Sequence, residues 1–182
     1  MDKAERRPSF AIAPGPGQES VWDYPRPPRV AADGREVLVR VGEVLVARTR
    51  RAVRILETAS PPTFYLPLDD ITPGVLVAAP GSSYCEWKGR ARYWSVRAGD
   101  RTIEKVGWSY PDPLPGFEAI ARSVAFYASP LECFVDDERV RPQPGGFYGG
   151  WITPHVTGPF KGGPGTTGWY HSPVPRDSLR PT

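Results

Sequence analysis

The sequence predicts a mainly β protein on three observations: short strand-like runs separated by turn-forming dipeptides, a high content of Gly and Pro, and only one stretch, Phe117 to Arg122, that suits a helix. Gly and Pro contribute 19 and 23 of the 182 residues and gather toward both ends. This length suits one domain with a real core plus extensions. The expected architecture is a compact small β-sheet or barrel-like domain built of hairpins, with at most one or two short helices. Residues 1–34 are expected to form an extended N-terminal arm, 35–140 the β-rich core domain, and 141–182 an irregular Gly/Pro/aromatic extension packing on that core. The arms hold Trp22, Tyr24, Phe147, Tyr148, Trp151, Phe160 and Trp169. These are poor residues to leave in water, so the arms should drape over the core.

Taken in order, Pro14, Pro16, Pro25, Pro27 and Pro28 prevent helix and ladder formation in the lead-in, and the β-domain is expected to begin near Arg35. Glu36 to Val41 and Val44 to Arg48 read as strands joined by a Gly42-Glu43 hairpin. Ala52 to Glu57 and Thr63 to Leu66 follow as strands, and Pro67 to Ile71 as one helical turn or a tight loop. Gly74 to Pro80 is short and apolar. Tyr84 to Trp108 forms a second hairpin unit, and Leu131 to Val140 a third that turns near Asp136-Asp137. Phe117 to Arg122 supports a single helical turn.

Charge excludes some classes of partner. Lys and Arg number 23 against 20 Asp and Glu, a weak basic excess. Arg48, Arg50, Arg51 and Arg54 are the densest basic cluster, yet Glu43 and Glu57 flank them, which reads as a solvated face rather than a phosphate-binding surface. Nucleic acid is therefore disfavoured as a partner. No apolar run approaches the roughly 20 residues that span a bilayer, and Met1 to Arg7 is charged with no apolar segment after it. The expectation is a cytoplasmic protein with no membrane association, with oligomeric state left open. Cys85 and Cys133 are then expected to be reduced and buried rather than bridged.

The densest chemistry lies in Ser83 to Gly89, continuing to Tyr93-Trp94 and to Trp108-Ser109-Tyr110-Pro111. If Gly89-Arg90 and Gly99-Asp100 are both two-residue turns, Lys88 sits opposite Ala91, Glu86 opposite Tyr93 and Cys85 opposite Trp94. Across the next turn Tyr93 faces Val106 and Ala91 faces Trp108. One face then carries Tyr84, Glu86, Lys88, Tyr93, Ser95, Glu104, Trp108 and Tyr110, with Glu86 and Lys88 spaced to form an ion pair. The other carries Cys85, Trp87, Trp94, Val96 and Ile103, a core-like set in which Cys85 is a buried thiol. A bulge at Gly89 would reverse the later assignments.

At these residues the sequence resembles a bacterial and fungal family known as domain of unknown function 427. The matching elements are Arg54-Ile55-Leu56-Glu57-Thr58 with Pro62 and Tyr65, Cys85 to Gly89 with Tyr93-Trp94, Trp108-Ser109-Tyr110-Pro111, and Val124-Ala125-Phe126-Tyr127. The resemblance covers roughly Arg35 to Val140 and implies a compact, mostly β protein. It also implies a shared site around Glu57, Tyr65, Cys85, Lys88, Tyr93 and Tyr110, in conflict with a register that hides Cys85. The family has a nucleotidyltransferase-like label without an established reaction. Nucleotidyl transfer generally needs carboxylates holding Mg²⁺. Here Gly81-Ser82 is followed by Tyr93-Trp94-Ser95 with no Asp pair, and the Asp69-Asp70 and Asp136-Asp137 doublets would diverge on a strand.

Other motifs fail on inspection. Lys161 precedes the glycines of Gly162 to Gly168 and no helix-forming segment follows, so this is a structural loop rather than a phosphate loop. His155 and His171 are the only histidines and have no Cys or His partner at zinc spacing, so no metal site is expected. Scarce histidine also argues against a Ser-His-Asp or Cys-His centre.

Three readings remain, and no cofactor is implied by any. The first is a small polar or aromatic ligand bound in a pocket lined by Glu57, Tyr65, Tyr84, Tyr93, Trp108 and Tyr110 with Glu86 and Lys88. The second is an enzyme at that pocket using Lys88 as acid, base or electrostatic anchor, with Glu86 or Cys85. The third is an interaction module whose aromatic arms dock a protein or nucleic acid.

Overall fold

A computed structural model describes residues 7–166 together with Trp169. The charged segment Met1 to Arg6 and the region that includes His171 lie outside the described residues. The described strands are β1 (Glu19–Ser20), β2 (Arg29–Asp33), β3 (Val37–Val41), β4 (Val44–Thr49), β5 (Ala52–Leu56), β6 (Thr63–Pro67), β7 (Leu76–Cys85), β8 (Gly89–Ala98), β9 (Arg101–Ser109), β10 (Ser123–Phe126), β11 (Glu132–Val135), β12 (Glu138–Arg139), β13 (Arg141–Pro142), β14 (Trp151–Ile152) and β15 (Val156–Thr157). Helical structure among the described residues is confined to single 3-10 turns at Val21–Asp23, Leu68–Asp70 and Glu118–Ile120. None is long and apolar enough to cross a membrane.

The hairpins form because the chain supplies turn residues where strands must reverse. Val41 pairs with Val44 around Gly42-Glu43, and Ala98 with Arg101 around Gly99-Asp100. Val135 pairs with Glu138 around Asp136-Asp137, both at positive φ, a conformation that Asp tolerates better than most residues. Antiparallel pairing builds a seven-stranded sheet in the order β2-β5-β6-β10-β9-β8-β7 and a four-stranded sheet in the order β12-β11-β3-β4. Neither closes into a barrel.

The two sheets seal one core between them. Val37, Val39, Val46, Leu131, Cys133 and Val135 from the smaller sheet meet Phe64, Leu66, Val96, Val106, Val124 and Phe126 from the larger. Trp151 joins this core, fully buried, stacked on Phe64 at 5.0 Å and donating its indole N–H to the Phe126 carbonyl at 2.7 Å. The opposite face of the seven-stranded sheet gathers Ile55, Tyr65, Ala91, Trp108, Tyr110 and Ala125, with Phe117 and Ile120 from the β9–β10 connection.

Both terminal segments are tied to this body. β1 pairs parallel with β15 and β13 antiparallel with β14. Val21, Tyr24, Leu56 and Val156 form a third buried cluster, against which Trp22 packs while its indole donates to the Pro159 carbonyl at 3.1 Å. One sequence expectation is corrected here: Arg29–Asp33, placed in the N-terminal arm, is an edge strand of the larger sheet, paired residue by residue with β5. Proline stops at position 28, so every amide of Arg29–Asp33 can pair.

The central hairpin also departs from its expected register. Gly89 pairs with Cys85, Tyr84 with Arg90 and Ser83 with Ala91, so the turn is Glu86-Trp87-Lys88 and not Gly89-Arg90. Gly89 has φ +94, the left-handed conformation that ends a three-residue loop and that glycine adopts without a Cβ penalty. Glu86, Trp87 and Lys88 therefore belong to a turn, and Cys85 shares a face with Ala91 and Tyr93. The β8–β9 pairs begin as expected but shift between Trp94 and Val96, which sets Tyr93 opposite Trp108 instead of Val106, and Arg92 opposite Ser109. Ser95 holds the irregularity: its hydroxyl accepts the Lys105 amide at 3.1 Å and donates to Glu104 at 2.9 Å.

Candidate functional site

The outer face of the seven-stranded sheet carries a cavity of about 280 Å³. Strand alternation aims side chains into it from several directions: Ile55 on β5, Thr63 and Tyr65 on β6, Trp108 on β9, Ala91 and Tyr93 on β8, Ser83 and Cys85 on β7. The Glu86-Trp87-Lys88 turn supplies one wall. Gln143, Phe147, Tyr148, Gly149 and Lys161, from beyond the last strands of the two large sheets, supply another.

Every candidate named from sequence lines this cavity: Glu57, Tyr65, Tyr84, Cys85, Glu86, Lys88, Tyr93, Trp108 and Tyr110. They reach it by a different route than expected, because the turn rather than a strand presents Glu86 and Lys88. Cys85 is half-buried in the cavity wall, contrary to the core position that the assumed register assigned. Both cysteines are free, and burial pushes the Cys133 thiol well above its ordinary range. Tyr84, on the edge strand, lines the cavity while remaining 67% exposed.

The floor is aromatic and carries polar tips. Trp108 donates its indole N–H to the Tyr65 hydroxyl at 3.2 Å and packs on Tyr127 at 4.7 Å between ring centroids. Tyr65 is fully buried and Tyr110 nearly so. Burial pushes both phenols above the ordinary tyrosine range, and the Cys85 thiol beside Tyr110 acts in the same direction. These hydroxyls stay protonated. Tyr93 directs its hydroxyl to Ser83 Oγ at 2.7 Å.

Charge at the site is arranged around Glu57. Its Oε1 accepts from Lys161 Nζ at 2.9 Å and from Arg26 at 3.0 Å, and a second Arg26 nitrogen reaches Glu86 at 3.2 Å. The Glu86–Lys88 ion pair expected from sequence is thus replaced by Arg26–Glu86. Lys88 instead lies over the Tyr110 ring, its Nζ 5.6 Å from the centroid, and makes no ion pair among the described residues. Lys161 is 2% exposed, its Nζ 4.9 Å from the Tyr148 ring centroid. Among the described residues no group of three or more His, Cys, Asp and Glu side chains is placed to hold a metal ion.

Sequence reasoning missed Lys161, Gln143, Gly149 and Arg26. Lys161 was legible only as a loop residue because its partner, Glu57, lies about a hundred positions away. Gln143 carries a buried strut, donating to the Lys161 carbonyl at 2.9 Å and accepting from the Gly150 amide at 3.0 Å. Gly149 approaches Trp108 so closely that a Cβ there would stand 2.0 Å from the indole edge. Tyr127 did have a signal, since it ends the Val124-Ala125-Phe126-Tyr127 run.

Fold and site together define a class: an antiparallel two-sheet β protein with an aromatic, donor-lined cavity on the outer face of its larger sheet. The chain belongs to the family described as Domain of unknown function (DUF427), whose model matches residues 29–140. No curated protein matches it. The family match ends before Gln143, Tyr148, Gly149 and Lys161, so part of the cavity wall comes from outside the matched region.

Proposed function

We propose that this protein binds a small, partly aromatic polar ligand in the cavity on the outer face of the seven-stranded sheet. The observation that carries this reading is the convergence of Tyr65, Tyr93, Trp108 and Tyr110 with Glu57, Glu86 and Lys88 around one hollow, on a sheet whose other face packs against the four-stranded sheet. Ligand pockets combine an apolar or aromatic lining with a few directed polar groups, and this lining fits that pattern at the small end of the usual size range.

An enzyme at the same site is the second reading, favoured by the half-buried Cys85 thiol beside the Tyr110 hydroxyl. The interaction-module reading has less support. Trp151 is locked in the core and Trp22 is engaged with Pro159, which leaves Phe147 as the large aromatic of the described C-terminal segment that is mostly exposed.

The test is a thermal-shift screen of the full chain against nucleotides, nucleobases, amino acids, sugars and coenzymes, repeated with Ser83→Phe to fill the cavity from the edge strand. A ligand at a hundredfold excess over its Kd stabilises a protein by about 2.7 kcal/mol. Stabilisation that vanishes in Ser83→Phe is expected. Stabilisation unchanged by the substitution would move the site elsewhere, and turnover of a hit lost in Cys85→Ala would favour the enzyme.

A further inference from the structure

We propose that the ligand of this cavity is a small planar anion: its conjugated body lies against Trp108 and Tyr110, and a carboxylate or phosphate group pairs with Lys88. This inference rests on the binding function proposed above and specifies its chemistry.

The charges lead to it. Both carboxylates that line the cavity are already engaged: Glu57 by Lys161 and Arg26, Glu86 by Arg26. Lys88 is different. It lines the cavity, is half-buried, and has the face of Tyr110 as its neighbour with no carboxylate within ion-pair distance among the described residues. A cation over a ring is held by an attraction weaker than a charge-assisted hydrogen bond, so an incoming anion improves its environment. A cationic ligand would meet Lys88 and Lys161 and find both carboxylates occupied.

The hydrogen-bond inventory points the same way. The Tyr65 hydroxyl has no exposure and accepts the Trp108 indole N–H, and the Tyr93 hydroxyl is bonded to Ser83 Oγ, which leaves the Lys88 ammonium as the charged donor of the lining that has no ion pair among the described residues. Beside the Lys88 ammonium lies the face of Tyr110, with Trp108 in the same cavity wall. The cavity, about 280 Å³, suits one or two fused rings and not a long chain.

The test uses the full chain and three matched probes, 2-naphthoate, 2-naphthyl phosphate and the neutral 2-naphthamide. Binding is read from the melting temperature and from the indole N–H resonance of Trp108, assigned by its loss in Trp108→Phe. At least one anion is expected to bind tenfold or more tightly than the amide. Lys88→Gln should erase that preference and Lys88→Arg should keep it. The tighter anion identifies the group as carboxylate or phosphate. Equal or tighter binding of the amide, or a preference that survives Lys88→Gln, overturns the anion assignment while leaving a ligand cavity. If no probe shifts either signal, the anion assignment falls, while the binding function stands or falls on the broader ligand screen.

Discussion

On β6, Phe64 and Leu66 point at the four-stranded sheet while Tyr65 between them points at the cavity; on β10, Val124 and Phe126 are sealed in and Ala125 is turned outward. The two faces share strands, backbone and register, and differ in what covers them. Between the sheets a polar group has little access to solvent, and the residues there are aliphatic or Phe, with the Cys133 thiol and with Trp151, whose N–H is bonded to a carbonyl. The outer face has only partial cover, from the Glu86–Lys88 turn and the Gln143–Lys161 segment, and there hydroxyls, an indole N–H and a thiol are retained. Tyrosine hydroxyls and charged side chains thus concentrate on the outer face.

The largest effect should come from breaking the sealed face. Trp151→Ala is expected to cost about 3–5 kcal/mol in urea unfolding, the usual range for a buried large aromatic. An unchanged midpoint would mean that the C-terminal segment is not docked as described. Next, exchanging the polarity of neighbouring residues tests the contrast directly. Phe64→Tyr forces a hydroxyl between the sheets and should cost about 1–3 kcal/mol. Tyr65→Phe on the other face should cost about 1 kcal/mol, from the lost Trp108 hydrogen bond, while weakening ligand binding. Equal costs for the pair would erase the distinction between the faces.

The phenols give the contrast a pH signature. Burial raises the folded-state pKa of Tyr65 and Tyr110 above the ordinary value of about 10. Above that pH the unfolded chain releases protons that the folded chain retains. The stability these groups contribute is therefore intact below about pH 10 and is lost as the pH rises further. The alkaline limb of the stability curve should be shallower in Tyr65→Phe than in wild type, as read from melting temperatures at stepped pH. The smallest effect is expected for Lys88→Gln, a half-buried turn residue without an ion pair, which should move stability by no more than about 0.5 kcal/mol while removing binding preference.

Much of the site was legible because it is built from local alternation. The spacing of Tyr93, of Trp108 and Tyr110, and of Tyr65 within Thr63–Leu66 places these side chains on one face wherever the strands pair. The position of Cys85 was not legible, since a two-residue and a three-residue turn differ by one position and each residue of shift reverses a face. The positive φ of Gly89 decided it, and a sequence shows that a glycine is present without showing which turn position it fills. The irregularity at Ser95 was hidden for a similar reason: it depends on side-chain bonds to Glu104 and Lys105 that have no pattern signal.

By itself the sequence determined the β class, the hairpin tips at Gly42-Glu43, Gly99-Asp100 and Asp136-Asp137, and part of the cavity lining, among it Tyr65, Tyr93, Trp108 and Tyr110, because turn chemistry and period-two alternation act over a few residues. Only the tertiary structure decided that Lys161 and Gln143 close the cavity, that Arg26 takes both carboxylates, and that Lys88 is left facing Tyr110. Those outcomes depend on contacts between residues up to about a hundred positions apart, whose geometry follows from sheet order and packing rather than from any local pattern.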